Sequence, residues 1–182
     1  MEQANHSESL RHPPISYGEF VVLDVRALAN FILDRAEELN VAVTNMALNK
    51  LVYFVHCDVL IETGDPLVTA KIEAWQHGPV FREVYHEFKR WGDKPICGRA
   101  NKISPLTGEV EVASVTFGSS EGEKMRAIID RYIHFSASHL RALSHVNDGP
   151  WDRVWKHSGR ANPGMQIGND LIKEAYRTRV RQ

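Results

Sequence analysis

Residues 44–60, TNMALNKLVYFVHCDVL, constrain this chain more than any other stretch. Leu48, Leu51, Val52, Val55 and Val59 recur at helical spacing as one apolar stripe, and Met46, Tyr53, Cys57 and Leu60 form a second. A helix that is apolar on two sides has to be covered on two sides, so the pattern predicts a central helix. Thr44 stands where its N-cap belongs. The polar residues of the same helix, Asn49, Lys50, His56 and Asp58, then need internal partners or an outlet to solvent.

The flanking segments supply the cover. Asp24 stands at an N-cap ahead of a helix that places Leu28, Ile32, Ala36 and Leu39 on one face, with Phe31 beside them and Asn40 as its stop. After the turn Thr63-Gly64-Asp65-Pro66, the alternation of Val68, Ala70, Ile72 and Ala74 with Thr69, Lys71 and Glu73 reads as a strand. His77-Gly78-Pro79 then reads as a turn that launches a helix, with Pro79 in its first turn. Val80, Val84, Phe88 and Trp91 give that helix its inner face, flanked by Phe81 and Tyr85. Residues 96–117 form a second β region, and Ser104-Pro105-Leu106-Thr107-Gly108 is the turn of a hairpin.

Ser120-Glu121-Gly122-Glu123 reads as a capping box before a helix with Met125, Ile128, Ile129, Tyr132 and Ile133 inside. Ser136 or Ser138 caps a shorter helix, which Asn147-Asp148-Gly149-Pro150 breaks. Trp151 and Trp155 follow on one face of a short helix. A loop with Asn162-Pro163-Gly164 leads to a last helix, whose Arg177, Arg179 and Arg181 suit the negative end of its dipole. The expected fold is mainly α (α+β): a compact helical domain with a small antiparallel β-hairpin inserted between helices.

At 182 residues and 43% hydrophobic content the chain can bury a sizeable core in one domain. A net charge of −1 supplies no global positive field, so nucleic acid is not an expected partner. The opening MEQANHSESLRHPP lacks the basic flank and apolar run of a secretory leader, and no apolar run is long enough to cross a bilayer. Cys57 and Cys97 have neither metal nor redox spacing. A soluble cytoplasmic protein with reduced thiols is expected, with no membrane partner.

Nine histidines raise the question of a metal. His134, His139 and His145 do not share the i, i+4 face that two ligands on one helix need, and neither HExxH nor CxxC occurs. No metal and no cofactor are expected. His77 reads in two ways, as an acid–base group at a helix N-terminus or as a residue that caps the turn. No nucleophile or paired carboxylate can be assigned around it, which favours the second. Tyr53, His56 and Asp58 either line a pocket with His77 or satisfy one another in the core. Trp151 and Trp155 are either a partner-binding anchor or core, with core favoured.

Four groups of residues carry a family resemblance: Leu48-Asn49-Lys50-Leu51-Val52-Tyr53-Phe54-Val55-His56; Thr63-Gly64-Asp65-Pro66-Leu67; Ile72-Glu73-Ala74-Trp75-Gln76-His77-Gly78-Pro79-Val80; and Val84-Tyr85-His86-Glu87-Phe88. Together with the helix around Ala29-Asn30-Phe31 and the turn Gly149-Pro150-Trp151, they resemble the Panacea domain of SocA-like, phage-associated antitoxins. Cys57-Asp58 stands where that family tends to have glycine and an aromatic. The resemblance implies an antitoxin of a toxin–antitoxin system, a non-enzyme that binds and neutralises a protein toxin encoded by an adjacent gene. It extends to a proteolytic adaptor role, with a ClpXP-type protease as a second partner.

On this reading residues 1–22 are a polar extension, 23–157 the Panacea-like domain, and 158–182 a loop and C-terminal helix packed on it. Partner contacts or a pocket are expected at Tyr53, His56, Trp75, His77, Tyr85 and Trp151, with Gly78, Pro79, Gly149 and Pro150 as structural turn residues. The alternatives are a hydrolase-type enzyme centred on His77 and a DNA-binding regulator.

Overall fold

The computed structural model describes residues 22–156 and 164–180. The polar extension up to residue 21, the Asn162-Pro163 pair and Arg181 lie outside the described residues, as does the side chain of Arg179.

Asp24 and Thr44 cap the first two helices as their side-chain chemistry requires. Asp24 accepts the Arg26 N–H at 2.8 Å at the start of α1 (Val25–Glu38), and Asn40 leaves the helix at φ 55°. Thr44 accepts the Ala47 N–H at 3.3 Å at the start of α2 (Asn45–Thr63), and Gly64 ends it in the left-handed region. Fourteen of the 19 residues of α2 are buried, so no face of it is left to solvent. The two stripes therefore describe a helix enclosed by the rest of the fold.

The first β unit departs from expectation. β1 (Ile72–Trp75) and β2 (Gly78–Phe81) form an antiparallel hairpin with Gln76 and His77 at its turn. Pro79 therefore lies in a strand opposite Ala74, and the next helix, α3 (Arg82–Phe88), starts only at Arg82. The register explains why proline is tolerated there. The Ala74 N–H points away from β2, to the Met165 carbonyl at 2.8 Å. Ala74 and Pro79 thus form a pair without mutual hydrogen bonds, where the missing proline N–H removes nothing from the ladder. Gly78, at φ 105°, is outside the range of a helix. Met165 and Ile167 run along the other edge of β1, with the Ile167 N–H on the Ile72 carbonyl.

A 3₁₀ turn, Lys89–Trp91, follows α3. The second hairpin forms as expected, from β3 (Asn101–Ile103) and β4 (Val110–Val112). It stands out from the body, with Ile103, Leu106, Val110 and Val112 exposed. Its base is gripped by Asn30 of α1. The Asn30 amide donates to the carbonyls of Ala100 and Ala113 at 2.9 and 2.7 Å and accepts the Ala100 N–H at 2.8 Å.

The capping box is displaced. α4 (Ser119–Asp130) begins before Ser120, its N-cap is Gly118, and the Glu121 carboxylate accepts the Gly118 N–H at 3.3 Å. Glycine has no side chain to return the bond, so one half of the box exists. Tyr132 and Ile133 follow the helix in a turn. α5 (Ala137–Ser144) is capped by Ser136, α6 (Pro150–Trp155) starts on Pro150 with Gly149 as its cap, and α7 (Asn169–Val180) closes the chain. α1, α3, α4, α5, α7 and β2 all pack on α2. The protein is mainly helical, with two small antiparallel sheets among the described residues.

Candidate partner-binding site

The β1–β2 hairpin is held from beneath by side chains of three helices. From α2, Asn49 Oδ1 accepts the Phe81 N–H at 3.1 Å, and Lys50 Nζ donates to the Pro79 carbonyl at 2.8 Å. From α6, the Trp151 indole N–H donates to the Trp75 carbonyl at 2.9 Å. α5 approaches the hairpin closely at Gly78. A Cβ there would lie 2.7 Å from Ser144 Oγ and 2.8 Å from Lys50 Cε, so the position has no room for a side chain.

Between α2, this hairpin and α3 lies a cavity of about 350 Å³. Trp75 and Tyr85 meet edge to face at its wall, with ring centroids 4.9 Å apart, and Val80 and His77 line it beside them. The α2 side is polar and internally bonded. Asn45 donates to the Tyr85 carbonyl at 3.3 Å, and Asn49 donates to the Asn45 side chain at 3.1 Å. Lys50 completes that wall with 1% of its surface exposed. Burial, reinforced by the nearby Arg141 charge, pushes its ammonium down to about 7.

The expected site residues thus separate into two sets. Trp75, His77 and Tyr85 line one cavity. Trp151 backs it through the Trp75 carbonyl, packs on the tilted His145 ring with centroids 3.7 Å apart and lies parallel to the more exposed Trp155. Tyr53 and His56 are buried in the core instead. Tyr53 packs on Phe54, and His56 Nε2 pairs with Asn169 Oδ1 at 3.0 Å while its Nδ1 has no partner among the described residues. Burial lowers the pKa of His56 and keeps the ring neutral.

Asp58 is bound by the Tyr132 hydroxyl at 2.9 Å and by Arg131 at 3.1 Å. His77 is exposed at the hairpin turn. A hydrolytic centre combining His77 with Tyr53, His56 or Asp58 is therefore not assembled by this fold. Among the described residues, no group of three His, Cys, Asp or Glu side chains is placed to hold a metal, and no helix is long and apolar enough to cross a membrane.

Lys50, Asn45 and Asn49 were visible in the sequence only as polar interruptions of an apolar helix. Asn45 and Asn49, at i and i+4, mark the side of α2 that faces the polar recess, and Lys50 lies about 100° round the helix from Asn49. A larger recess of about 470 Å³ lies between the end of α1 and residues 95–99. Its cation, Arg99, is already paired with Asp34 and Glu37 at 2.7 and 2.6 Å, which leaves the hairpin cavity as the better-equipped site.

Residues 48–152, which include the hairpin, both of its ring walls and Trp151, match the family described as Antitoxin SocA-like, Panacea domain. This chain belongs to that family. Antitoxin SocA of Caulobacter vibrioides (strain NA1000 / CB15N) is 37% identical to it over 166 residues, covering 91% of this chain and 88% of that protein. No solved structure matches the chain. The Panacea match takes in Lys50 and Asn49 on α2 together with the hairpin carbonyl and amide they bind.

Proposed function

We propose that this protein is an antitoxin that neutralises a cognate protein toxin by direct binding, with the cavity flanked by Trp75 and Tyr85 as a principal contact site. The observation that carries the reading is the likeness to Antitoxin SocA over nearly the full length of both chains. The cavity supports it physically. Aromatic walls around a partly polar recess suit a single anchor group buried inside a wetter rim, the arrangement that concentrates binding energy in few residues. Residues 23–157 form the binding unit in this reading, with 158–182 as a support, in keeping with the packing of α7 on α2 and α6.

The toxin is expected to be the product of an adjacent gene, with delivery to a ClpXP-type protease as an additional, adaptor function. The test is co-expression with each neighbouring reading frame. The expected result is one neighbour that stops growth alone and is harmless together with this protein, followed by co-purification of the two. A harmless set of neighbours overturns the reading. The adaptor function requires that the toxin's half-life shorten in the presence of this protein only when the protease is present.

A further inference from the structure

Among the described residues, the charge on Lys50 has no counterpart. Its side chain is almost wholly buried, and its Nζ donates to one neutral carbonyl, that of Pro79. An ammonium carries three donors, so two remain to be answered. Of the ionisable groups around it, none acts on it as a matching anion. Arg141 adds positive charge from α5, and Lys89 and His77 line the same cavity as Lys50. His145, next along α5, and the Tyr85 hydroxyl-bearing ring bring no negative charge. Asp93 is the one acidic residue of the lining among the described residues, and it is not among the groups acting on Lys50. A buried cation without an anion bears the full cost of desolvation with little Coulombic return.

Beside this cation lies a cavity of about 350 Å³, at the lower end of the range for small-ligand sites, with Trp75, Tyr85 and Val80 as apolar walls. We propose that it is a carboxylate-binding site: an acidic group on an apolar or aromatic stem, presented by the neutralised protein, enters the cavity alongside the Trp75–Tyr85 ring pair and pairs with Lys50. The source of the carboxylate rests on the antitoxin reading. The chemistry of the site rests on the cavity and the unmatched cation.

The pair would bring Lys50 to its charged form, so binding takes up a proton whenever the free amine is neutral. Affinity for a carboxylate therefore falls about tenfold per pH unit above the Lys50 midpoint of the free protein and is flat below it.

The experiment follows the Lys50 Cε resonance through a pH titration of the full chain carrying isotope-labelled lysine, with Lys50→Arg for assignment. The probe is 3-phenylpropionate, and 3-phenylpropanamide is its uncharged control. In the free protein the midpoint is expected near 7. Saturating 3-phenylpropionate is expected to raise it by at least one unit, and the amide to leave it in place. Lys50→Met is expected to weaken the acid more than tenfold and the amide little. If that variant does not fold, the wild-type titration alone decides. A Lys50 midpoint that the acid does not move, or that the amide moves equally, overturns the proposal.

The same resonance in the toxin complex identifies the donor, because amidating the toxin's chain end and converting its acidic side chains to amides remove different carboxylates. Failure here is distinct from failure of the antitoxin reading. Neutralisation with an unmoved Lys50 removes the carboxylate and leaves the antitoxin. A responsive Lys50 with no toxic neighbour does the reverse.

Discussion

The indole N–H of Trp151 donates to the backbone carbonyl of Trp75 at 2.9 Å, across 76 positions of sequence. This bond ties α6 to the strand that carries one wall of the cavity. It also fixes the Trp151 ring between His145 and Trp155. A side chain that is buried can therefore govern the shape of a site it does not line.

Trp151→Phe keeps an aromatic ring and removes the donor. It is expected to lower stability by about 1 kcal/mol for the lost bond, or about 3 kcal/mol if the Trp75 carbonyl stays buried and unanswered. Trp151→Ala, which also opens a cavity, is expected to cost about 3–5 kcal/mol. Urea titration of both variants checks the order, and a Trp151→Phe variant as stable as the parent would show that the hydrogen bond contributes nothing.

Gly78 is the position where a single methyl does most harm to the hairpin. Its φ of 105° disfavours any side chain, and the methyl would meet Ser144 and Lys50 at less than 3 Å. Gly78→Ala is expected to destabilise by roughly 1–3 kcal/mol and to displace β2 from α5. A thermal midpoint equal to that of the parent would refute the close approach.

Lys50 gives the protein a pH dependence on the alkaline side. Its folded-state pKa of about 7 lies below the unfolded 10.5, so between these values the unfolded chain binds more protons. Stability is therefore expected to rise from pH 7 towards 10.5, against the usual loss at high pH. Lys50→Met removes the rise. Denaturation midpoints at pH 7, 8 and 9 for the two proteins measure it.

His56 acts on the acid side with the same sign. Its folded-state pKa is lowered from 6.5 because burial penalises the charged ring by more than the Asn169 bond restores. The stability it allows is complete above about 6.5 and is lost as the pH falls below that, when the unfolded chain takes up a proton that the folded one refuses. His56→Leu should flatten the curve between pH 6.5 and 5. A wild-type curve already flat in that window would show that the folded protein takes up the proton as readily as the unfolded chain.

Asn30 is the grip on the second hairpin. Asn30→Ala strands the buried Ala113 carbonyl and the Ala100 N–H, each worth about 1–3 kcal/mol when left unpaired, while the Ala100 carbonyl keeps the Ala113 N–H at 2.9 Å, so a loss of at least about 2 kcal/mol is expected. Amide exchange across residues 101–112 should speed up more than that of α2. Uniform acceleration would mean that Asn30 supports the whole core rather than the hairpin.

Features encoded within one turn of chain were legible in the sequence. Asp24 and Thr44 announce their helices, and the choice between Ser136 and Ser138 falls to Ser136, because a cap needs only a side-chain oxygen and an amide two or three residues on. The enclosed character of α2 followed from its stripes. Pro79 misled because its fitness for a helix start is local, whereas its place in β2 depends on Met165 drawing the Ala74 amide to the other side. Ser120 misled in the same way, since the reach of Glu121 back to Gly118 moves the cap two residues earlier. Trp75, His77 and Tyr85 stood out as aromatic or unusual words. Lys50 was legible only as a polar residue in need of a partner, because that partner is a carbonyl 29 positions away that any residue type would supply.

The enclosure of α2 has a consequence for how this molecule fails. With α1, α3, α4, α5, α7 and β2 all resting on one helix, no half of the described fold keeps a core when that helix is pulled away. Loss of structure is then cooperative: a disturbance at any rim is either absorbed or transmitted to everything. The molecule's lifetime in a cell would be governed by one opening equilibrium, and a destabilising change in any of its layers would register as a change in abundance.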